Sequence, residues 1–215
     1  MLKVFLIFVI SISAFASTSK FYGYFSLAFF SNDGRYSLVD NGSRVGVKYS
    51  KKGFYPDWTA GLRGEYSVKT TSHNEDFFLK NNELNRTKDN GPFSNRLGYL
   101  YLTYDDNFTM SFGKQWSPFY EVTSVTDIFY IFGAEASGAF SLQSDGGYLG
   151  SGRANNSARL SYDLGKTKIS AIYVATGDQE IEILDADGKS LPGNPKRIYE
   201  RSLGGAVQYV GNSQL

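Results

Sequence analysis

The feature that most constrains this chain is a repeated two-residue alternation of apolar and polar side chains. It is clearest over residues 58–67, where the charged residues Arg63 and Glu65 fall on one parity and apolar residues on the other. Because successive side chains of a β-strand point to opposite faces, this pattern predicts strands with one apolar and one polar face. Eight strands can be drawn, at residues 21–29, 44–49, 58–67, 96–103, 108–113, 157–162, 169–173 and 202–209. In the fourth, residues 97, 99, 101 and 103 alternate with Arg96 and residues 98, 100 and 102, so the leucines at 100 and 102 are predicted to face inward with Arg96 and spoil the alternation.

The connections between these strands alternate in length. Short turns rich in Gly, Asp, Asn or Pro lie at residues 51–57, 105–107 and 163–167, and long segments lie at residues 31–42, 69–93, 117–152 and 176–200. Tight turns on one rim and extended loops on the other are typical of an outer-membrane barrel. The sequence therefore predicts an all-β fold, a transmembrane antiparallel β-barrel.

The first residues predict export. A lysine, an apolar run and small residues succeed one another within residues 1–16, which is the order of a secretory signal peptide. The apolar run is well short of the ~20 residues of a membrane-spanning helix. The absence of cysteine is consistent with passage through an oxidising periplasm. We therefore expect a cleavable signal peptide and a mature protein in the cell outer membrane.

Composition supports strands rather than apolar helices. Aromatic residues make up 16% of the chain, yet its mean hydropathy is only −0.30. This combination suits strands that alternate lipid-facing and water-facing residues. The formal net charge of +1 gives no indication of a nucleic-acid partner, and no cofactor is expected.

The segment 117–152 is too long for an ordinary connection. Aromatic and aliphatic residues dominate its stretch 119–132, and they would be costly to leave in water. The segment also contains the acids Asp127, Glu135 and Asp145. This combination predicts that it folds inside the barrel, with its apolar side against the wall and its acids toward a water-filled passage.

Five stretches resemble, in order and spacing, the general diffusion porins of Gram-negative bacteria, which are trimeric sixteen-stranded pores. They are Ser-Arg-Val-Gly-Val-Lys (43–48), Asn-Arg-Leu-Gly (95–98), Phe-Gly-Lys-Gln-Trp-Ser-Pro-Phe-Tyr (112–120), Thr-Asp-Ile-Phe (126–129) and Gly-Arg-Ala-Asn-Asn-Ser (152–157). The resemblance covers nearly all of residues 20–215. It implies that residues 117–152 are the third external loop, which constricts the pore.

The same resemblance implies the residues of the constriction. Arg44, Arg96 and Arg153 are similar to the family's basic ladder on the barrel wall, and Asp127 and Glu135 are similar to the facing acids of the loop. Two departures from the family's pattern imply a less polar constriction. Ile131 stands where enteric members have a second loop glutamate, and Tyr24 stands where they have a first-strand lysine.

A simpler interpretation of each arginine is a strand charge with a local acid partner, as Arg63 has in Glu65. The ladder would act collectively, since two opposite charges ~8 Å apart across water interact by only ~0.5 kcal/mol. Arrayed on opposite walls, such charges set a transverse field that orients polar solutes.

The resemblance also implies the partners. They are outer-membrane lipid and lipopolysaccharide, small hydrophilic solutes and ions, and two further copies of the chain in a homotrimer. The charged residues 69–93 are similar in position to the loop that latches onto a neighbouring subunit, and a freely solvated loop is the alternative.

Other classes fit less well. An enzyme is not expected, because His73 is the only histidine and no nucleophile or metal-ligand motif is present. An eight-stranded anchor or adhesin has an interior filled by side chains, with no room for the segment 117–152. A substrate-specific outer-membrane channel is the main alternative to passive diffusion.

The strand count predicts an incomplete barrel. Residues 212–215 read as the start of a ninth strand, and bacterial barrels close on an even count. We therefore interpret residues 17–215 as the N-terminal part of a porin barrel, with about eight to nine of sixteen strands. An open sheet with unpaired edges at both ends is expected.

Overall fold

A computed structural model describes residues 17–32, 35–70, 75–80, 83–88, 92–127, 150–183, 189 and 191–211. The strands are β1 (Ser17–Tyr24), β2 (Leu27–Asn32), β3 (Arg35–Asp40), β4 (Arg44–Tyr55), β5 (Trp58–Val68), β6 (Glu75–Lys80), β7 (Glu83–Lys88), β8 (Phe93–Tyr104), β9 (Phe108–Trp116), β10 (Arg153–Asp163), β11 (Thr167–Glu182) and β12 (Lys196–Tyr209). A helix α1 (Pro118–Thr123) and a 3₁₀ turn (Ser124–Thr126) come after β9. Among these residues, no helix is long and apolar enough to cross a membrane.

Eight of the strands form one antiparallel sheet in the order β1-β4-β5-β8-β9-β10-β11-β12. The hairpins β2–β3 and β6–β7 form separate two-stranded sheets within the connections after β1 and β5. In the described part of the chain, β1 and β12 stand at the two ends of the sheet and do not pair with each other. The predicted open, all-β, antiparallel sheet is confirmed.

The short turns have the local chemistry of tight hairpins. Asp105 and Asp106, between β8 and β9, both have positive φ, at 49° and 55°. Two successive positive φ angles match the right-handed twist of the flanking strands, and aspartate tolerates them. Between β10 and β11, the Gly165 N–H donates a 2.8 Å hydrogen bond to the Asp163 carboxylate. The predicted alternation of short and long connections is confirmed.

The predicted first strand, residues 21–29, was wrong in extent because β1 ends at Tyr24. Ser26 leaves the ladder between β1 and β4: its N–H donates to Ser43 Oγ at 2.9 Å, and its carbonyl accepts from the Asn41 N–H at 2.8 Å. The chain then turns into the β2–β3 hairpin. The last long connection is also shorter than expected, since β11 runs to Glu182 and β12 begins at Lys196.

The prediction of which β8 side chains lie on which face of the sheet was wrong beyond Arg96. The pairing of β5 with β8 shifts register beside Glu65, which leaves Arg96 as an extra residue between Asn95 and Leu97. A bulge of this kind reverses the parity of the rest of the strand. The leucines at 100 and 102, predicted to be inward, therefore share the face of Leu62 and Ala60, and the tyrosines at 99 and 101 share the face of Arg63.

The eight-stranded sheet has two chemically distinct faces. The apolar face exposes large hydrophobic side chains, among them Phe21, Phe112, Leu160, Leu203 and Val207. We call the opposite side the polar face, because it carries Arg44, Arg63, Glu65, Ser157 and Arg159. Its Glu65 is only 2% exposed. These charged and polar residues therefore lie on one side of the sheet.

Candidate functional site

Three arginines of the polar face surround one carboxylate, a group we call the Glu65 cluster. Arg96 Nε donates to Glu65 Oε1 at 2.8 Å, and Arg63 Nη2 to Glu65 Oε2 at 3.1 Å. Arg44 Nη1 lies 3.7 Å from Glu65 Oε1. The Glu65 side chain is 3% exposed, and those of the three arginines are 17–29% exposed. The cluster joins β4, β5 and β8, and its three arginines and one glutamate give it a surplus of two positive charges.

The register of three strands builds this cluster. Tyr22 of β1 pairs with Gly46 of β4, and Gly46 pairs with Glu65 of β5. Because glycine has no side chain, the Tyr22 ring lies over Gly46, where an added Cβ would come within 2.5 Å of it. The Tyr22 hydroxyl thereby reaches across β4, donates to Glu65 Oε2 at 2.8 Å and accepts from Arg63 Nε at 2.9 Å.

Arg96 enters the cluster through the β8 bulge. Without the extra residue its side chain would point to the apolar face, as the alternation from Gly98 onward shows. Bulges commonly re-aim a side chain near a functional site. Arg44 is supported differently, because its guanidinium lies 4.5 Å from the centre of the Tyr24 ring. That distance allows a cation–π interaction.

Arg153, at the start of β10, lies beside this cluster. Its guanidinium is 5.6 Å from the Trp116 ring centre. Arg96 and Arg153 line one cleft together with Asp40, Gly42, Ser67, Lys69 and Ser94.

Asp40 brings a negative charge to this cleft. Burial would raise the pKa of Asp40, but hydrogen bonds from Ser43, Thr70 and Gly42 hold its pKa below the ordinary value. The cleft therefore combines two arginines and a lysine with one acid that stays ionised.

The segment after β9 begins with a well-capped helix. Ser117 Oγ accepts a hydrogen bond from the Tyr120 N–H at 3.0 Å, and Pro118 takes the first helical position, where no N–H is needed. The Tyr120 ring stacks on Trp116, with centroids 3.9 Å apart and planes 14° apart. The start of the segment is therefore fixed to the end of β9.

Tyr120 connects α1 to the predicted acid. Its hydroxyl donates to Asp127 Oδ2 at 2.9 Å. Burial and this hydrogen bond raise the pKa of Tyr120 to about 12, although the charges of Arg153 and Arg96 act in the opposite direction. The phenol is thus a protonated donor at ordinary pH, bonded to Asp127 and within electrostatic reach of Arg153 and Arg96.

A second acid-centred group lies beneath α1, and we call it the Glu121 clasp. Arg159 of β10 donates to both carboxylate oxygens of Glu121, at 2.9 and 2.6 Å. Lys168 of β11 lies 3.2 Å from Glu121 Oε2. Burial would raise the pKa of Glu121, but the hydrogen bonds and charges of Arg159 and Lys168 hold its pKa below the ordinary value. The clasp bonds α1 to the polar face.

The structure places four of the five predicted site residues. Arg44 and Arg96 share Glu65, Arg153 lines the cleft with Arg96, and Asp127 is held by Tyr120. Glu135 lies outside the described residues. The role of all five at a constriction stays a prediction.

Sequence reasoning missed the wider role of Glu65 and the Glu121 clasp. Glu65 was seen as the local partner of Arg63 alone, yet it also contacts Arg44 and Arg96. Arg159 was visible as a charge on the polar parity of its strand, but nothing in the alternation indicated Glu121 as its partner. In the described ranges, no group of three or more His, Cys, Asp or Glu side chains could hold a metal ion.

Comparison with known proteins adds independent information. The chain matches the sequence model of the family described as Gram-negative porin over residues 4–215. No curated protein matches it significantly.

Among solved structures, it is similar to OmpT, an outer membrane protein of Vibrio cholerae, as a loop deletion mutant and in its in-vitro folded trimer form. Both are 20% identical with a TM-score of 0.53, and the match covers 74% of this chain and 43% and 41% of theirs. The chain therefore spans less than half the length of these structures.

It is also similar to OmpF of Salmonella typhi in complex with daunomycin, at 14% identity and a TM-score of 0.42. That match covers 92% of this chain and 63% of OmpF. The fold is that of outer-membrane β-barrel proteins, and the chain belongs to the Gram-negative porin family.

Proposed function

We propose that residues 17–215 are the N-terminal part of an outer-membrane porin, through which small hydrophilic solutes and ions diffuse passively. The observation that carries this proposal is the joint placement of the Glu65 cluster and α1 on the polar face. Arginines with surplus charge and the start of a long connection share one side of the sheet. In a closed barrel that side is the water-filled lumen.

The opposite face supports the membrane placement. Its exposed aromatic and aliphatic side chains would be costly in water over so large an area. Against lipid and lipopolysaccharide acyl chains they are in a favourable environment.

The remaining parts of the proposal concern assembly and export. Residues 1–16 are a cleavable signal peptide, and residues 117–152 are the third external loop that narrows the pore. The chain assembles as a homotrimer, as the trimer form of OmpT from Vibrio cholerae suggests by similarity. The protein works as a channel, without a catalytic site or a cofactor.

In this constriction, Arg44, Arg96 and Arg153 form the basic side, and Asp127 and Glu135 form the acidic side. Tyr120 supports the assignment for Asp127, because its hydroxyl bonds the carboxylate and is within electrostatic reach of Arg96 and Arg153. The single charge of Glu65 reduces the positive charge of the basic side without neutralising it.

Planar-bilayer recording of the full-length protein tests this function. We expect stepwise conductance that rises in proportion to the conductivity of the salt solution. Absence of steps in correctly folded protein would contradict the proposal. Saturable block of the current by one solute class would instead show a substrate-specific channel.

A further inference from the structure

We infer that Glu121 and Arg159, assisted by Lys168, are positioning residues that hold the constricting loop in place and thereby keep the pore steadily open. This inference rests on the proposed pore function. The three residues belong to neither predicted side of the constriction, and their geometry differs from that of the Glu65 cluster.

The neck of the loop is closed by backbone contacts. The Ser117 N–H donates to the Gly152 carbonyl at 2.9 Å, and Ser117 Oγ donates to the Ser151 carbonyl at 2.8 Å. Ser117 itself is fully buried. The chain therefore enters and leaves the loop at one bonded point, which does not by itself fix the direction in which α1 leaves the neck.

The Glu121 clasp supplies that direction. Arg159 Nη1 donates to the Trp116 carbonyl at 3.1 Å as well as to Glu121, so one guanidinium bonds the last residue of β9 and the fourth residue of α1. Arg159 is only 8% exposed. A planar guanidinium that donates to both carboxylate oxygens fixes orientation as well as distance, which a lysine cannot do.

The same geometry argues against a direct role in attracting solutes. The Arg159 side chain is 9% exposed, whereas those of Arg44 and Arg63 are 28% and 29% exposed. Its charge is also matched by Glu121 at 2.6 Å. The arrangement therefore fits a residue that holds α1 against the sheet.

Movement of α1 would be transmitted to the constriction through Tyr120, the neighbour of Glu121. Tyr120 stacks on Trp116 and holds Asp127 by a hydrogen bond. A helix released from the wall would carry Tyr120 and Asp127 with it. Loops that narrow a passage change its conductance when they shift, and local release of a segment occurs on a scale of about microseconds to seconds.

The test is single-channel recording of full-length Glu121→Gln, which keeps size but loses the charge and one carboxylate oxygen. We expect a several-fold rise in open-channel current noise and closure at lower voltage, with a smaller change in ion selectivity than in Arg96→Ala. Arg159→Lys keeps the charge and loses the planar fork, so it should be similarly noisy.

Asp106→Asn is the matched control. It removes a carboxylate from the exposed ion pair with Lys52, 2.8 Å long, in the short turn before β9, at the opposite end of that strand from the loop. It should leave the noise and the closing voltage at wild-type values.

Two results would overturn the inference while the pore function stands. One is wild-type noise and closing voltage in both Glu121→Gln and Arg159→Lys. The other is a selectivity change in Glu121→Gln as large as that in Arg96→Ala, which would make Glu121 a charge of the passage. Failure of the proposed function is distinct, because the wild-type protein would then show no steps.

Discussion

The Glu65 cluster and the Glu121 clasp are both built from one glutamate and several basic side chains, but they connect different elements. In the first, three arginines of the sheet share one carboxylate, and all partners belong to strands. In the second, an acid of α1 is held by Arg159 and Lys168 of the sheet. The first therefore bonds strand to strand, and the second bonds a loop to a strand.

The two groups also differ in which of their charged side chains, the acid or the base, is exposed. In the Glu65 cluster the acid is almost fully buried and the arginines are partly exposed, so the surplus positive charge faces outward from the wall. In the clasp the arginine is the buried partner, and Glu121 is 27% exposed. Burial of the acid thus presents charge to solutes, whereas burial of the base immobilises a loop.

The largest expected effect comes from Glu65→Gln, which breaks the first cluster. Three arginines would lose their shared carboxylate, and removal of one partner from a buried ion pair costs about 3–5 kcal/mol. We expect a clear loss of stability against denaturant in detergent micelles. Glu121→Gln should cost less, because Glu121 is more exposed. Equal losses in the two variants would contradict the comparison.

Arg96→Ala should change function more than stability. It removes one surplus positive charge from the cleft shared with Arg153, so the permeability ratio of cations to anions should rise in reversal-potential measurements. Arg44→Ala should shift it in the same direction. An unchanged reversal potential in both variants would show that the Glu65 cluster does not line the passage.

Acid should release the clasp, because it protonates Glu121. The pKa of Glu121 is lowered in the folded protein, so its contribution is present above its ordinary pKa of about 4.3 and is lost as the pH falls through the lowered value. Open-channel noise should therefore rise only at a pH below the ordinary pKa of a glutamate, and Glu121→Gln should lack this step. A rise centred near neutral pH would point to another group.

Tyr120→Phe should have the smallest effect. It keeps the stack on Trp116 and removes the hydrogen bond to Asp127, which is worth about 1.5–3 kcal/mol for a charged acceptor. We expect a modest change in selectivity and little change in noise, because the clasp remains. Noise as high as in Glu121→Gln would show that Tyr120, rather than the clasp, holds the loop.

Sequence reasoning predicted most of the fold because alternation and turn chemistry are local signals. It placed all eight strands of the sheet, and it predicted the turn at Asp105 and Asp106 from residue types that tolerate positive φ. It failed on β8, because a bulge at Arg96 depends on how the neighbouring strand pairs. The leucines at 100 and 102, which spoiled the expected alternation, were the visible sign of that bulge.

The site was less predictable because its partners are distant in sequence. Arg159 and Glu121 are 38 residues apart, and Tyr22 and Glu65 are 43 residues apart. Alternation assigns a face to each strand residue, but it does not say which residues meet on that face. Trp116 illustrates this limit, because it stacks on Tyr120 and lies beside Arg153, and its place at the end of a strand predicts neither contact.

The proposed function requires that the polar face line the water-filled pore, and cysteine accessibility tests this requirement. The chain has no cysteine, so single cysteines can be placed at Ser67, beside Arg96 in the cleft, and at Leu100 on the apolar face. During bilayer recording, a charged, membrane-impermeant thiol reagent should lower the current of Ser67→Cys and leave that of Leu100→Cys unchanged. Modification of Leu100→Cys alone would contradict the assignment of the polar face to the lumen.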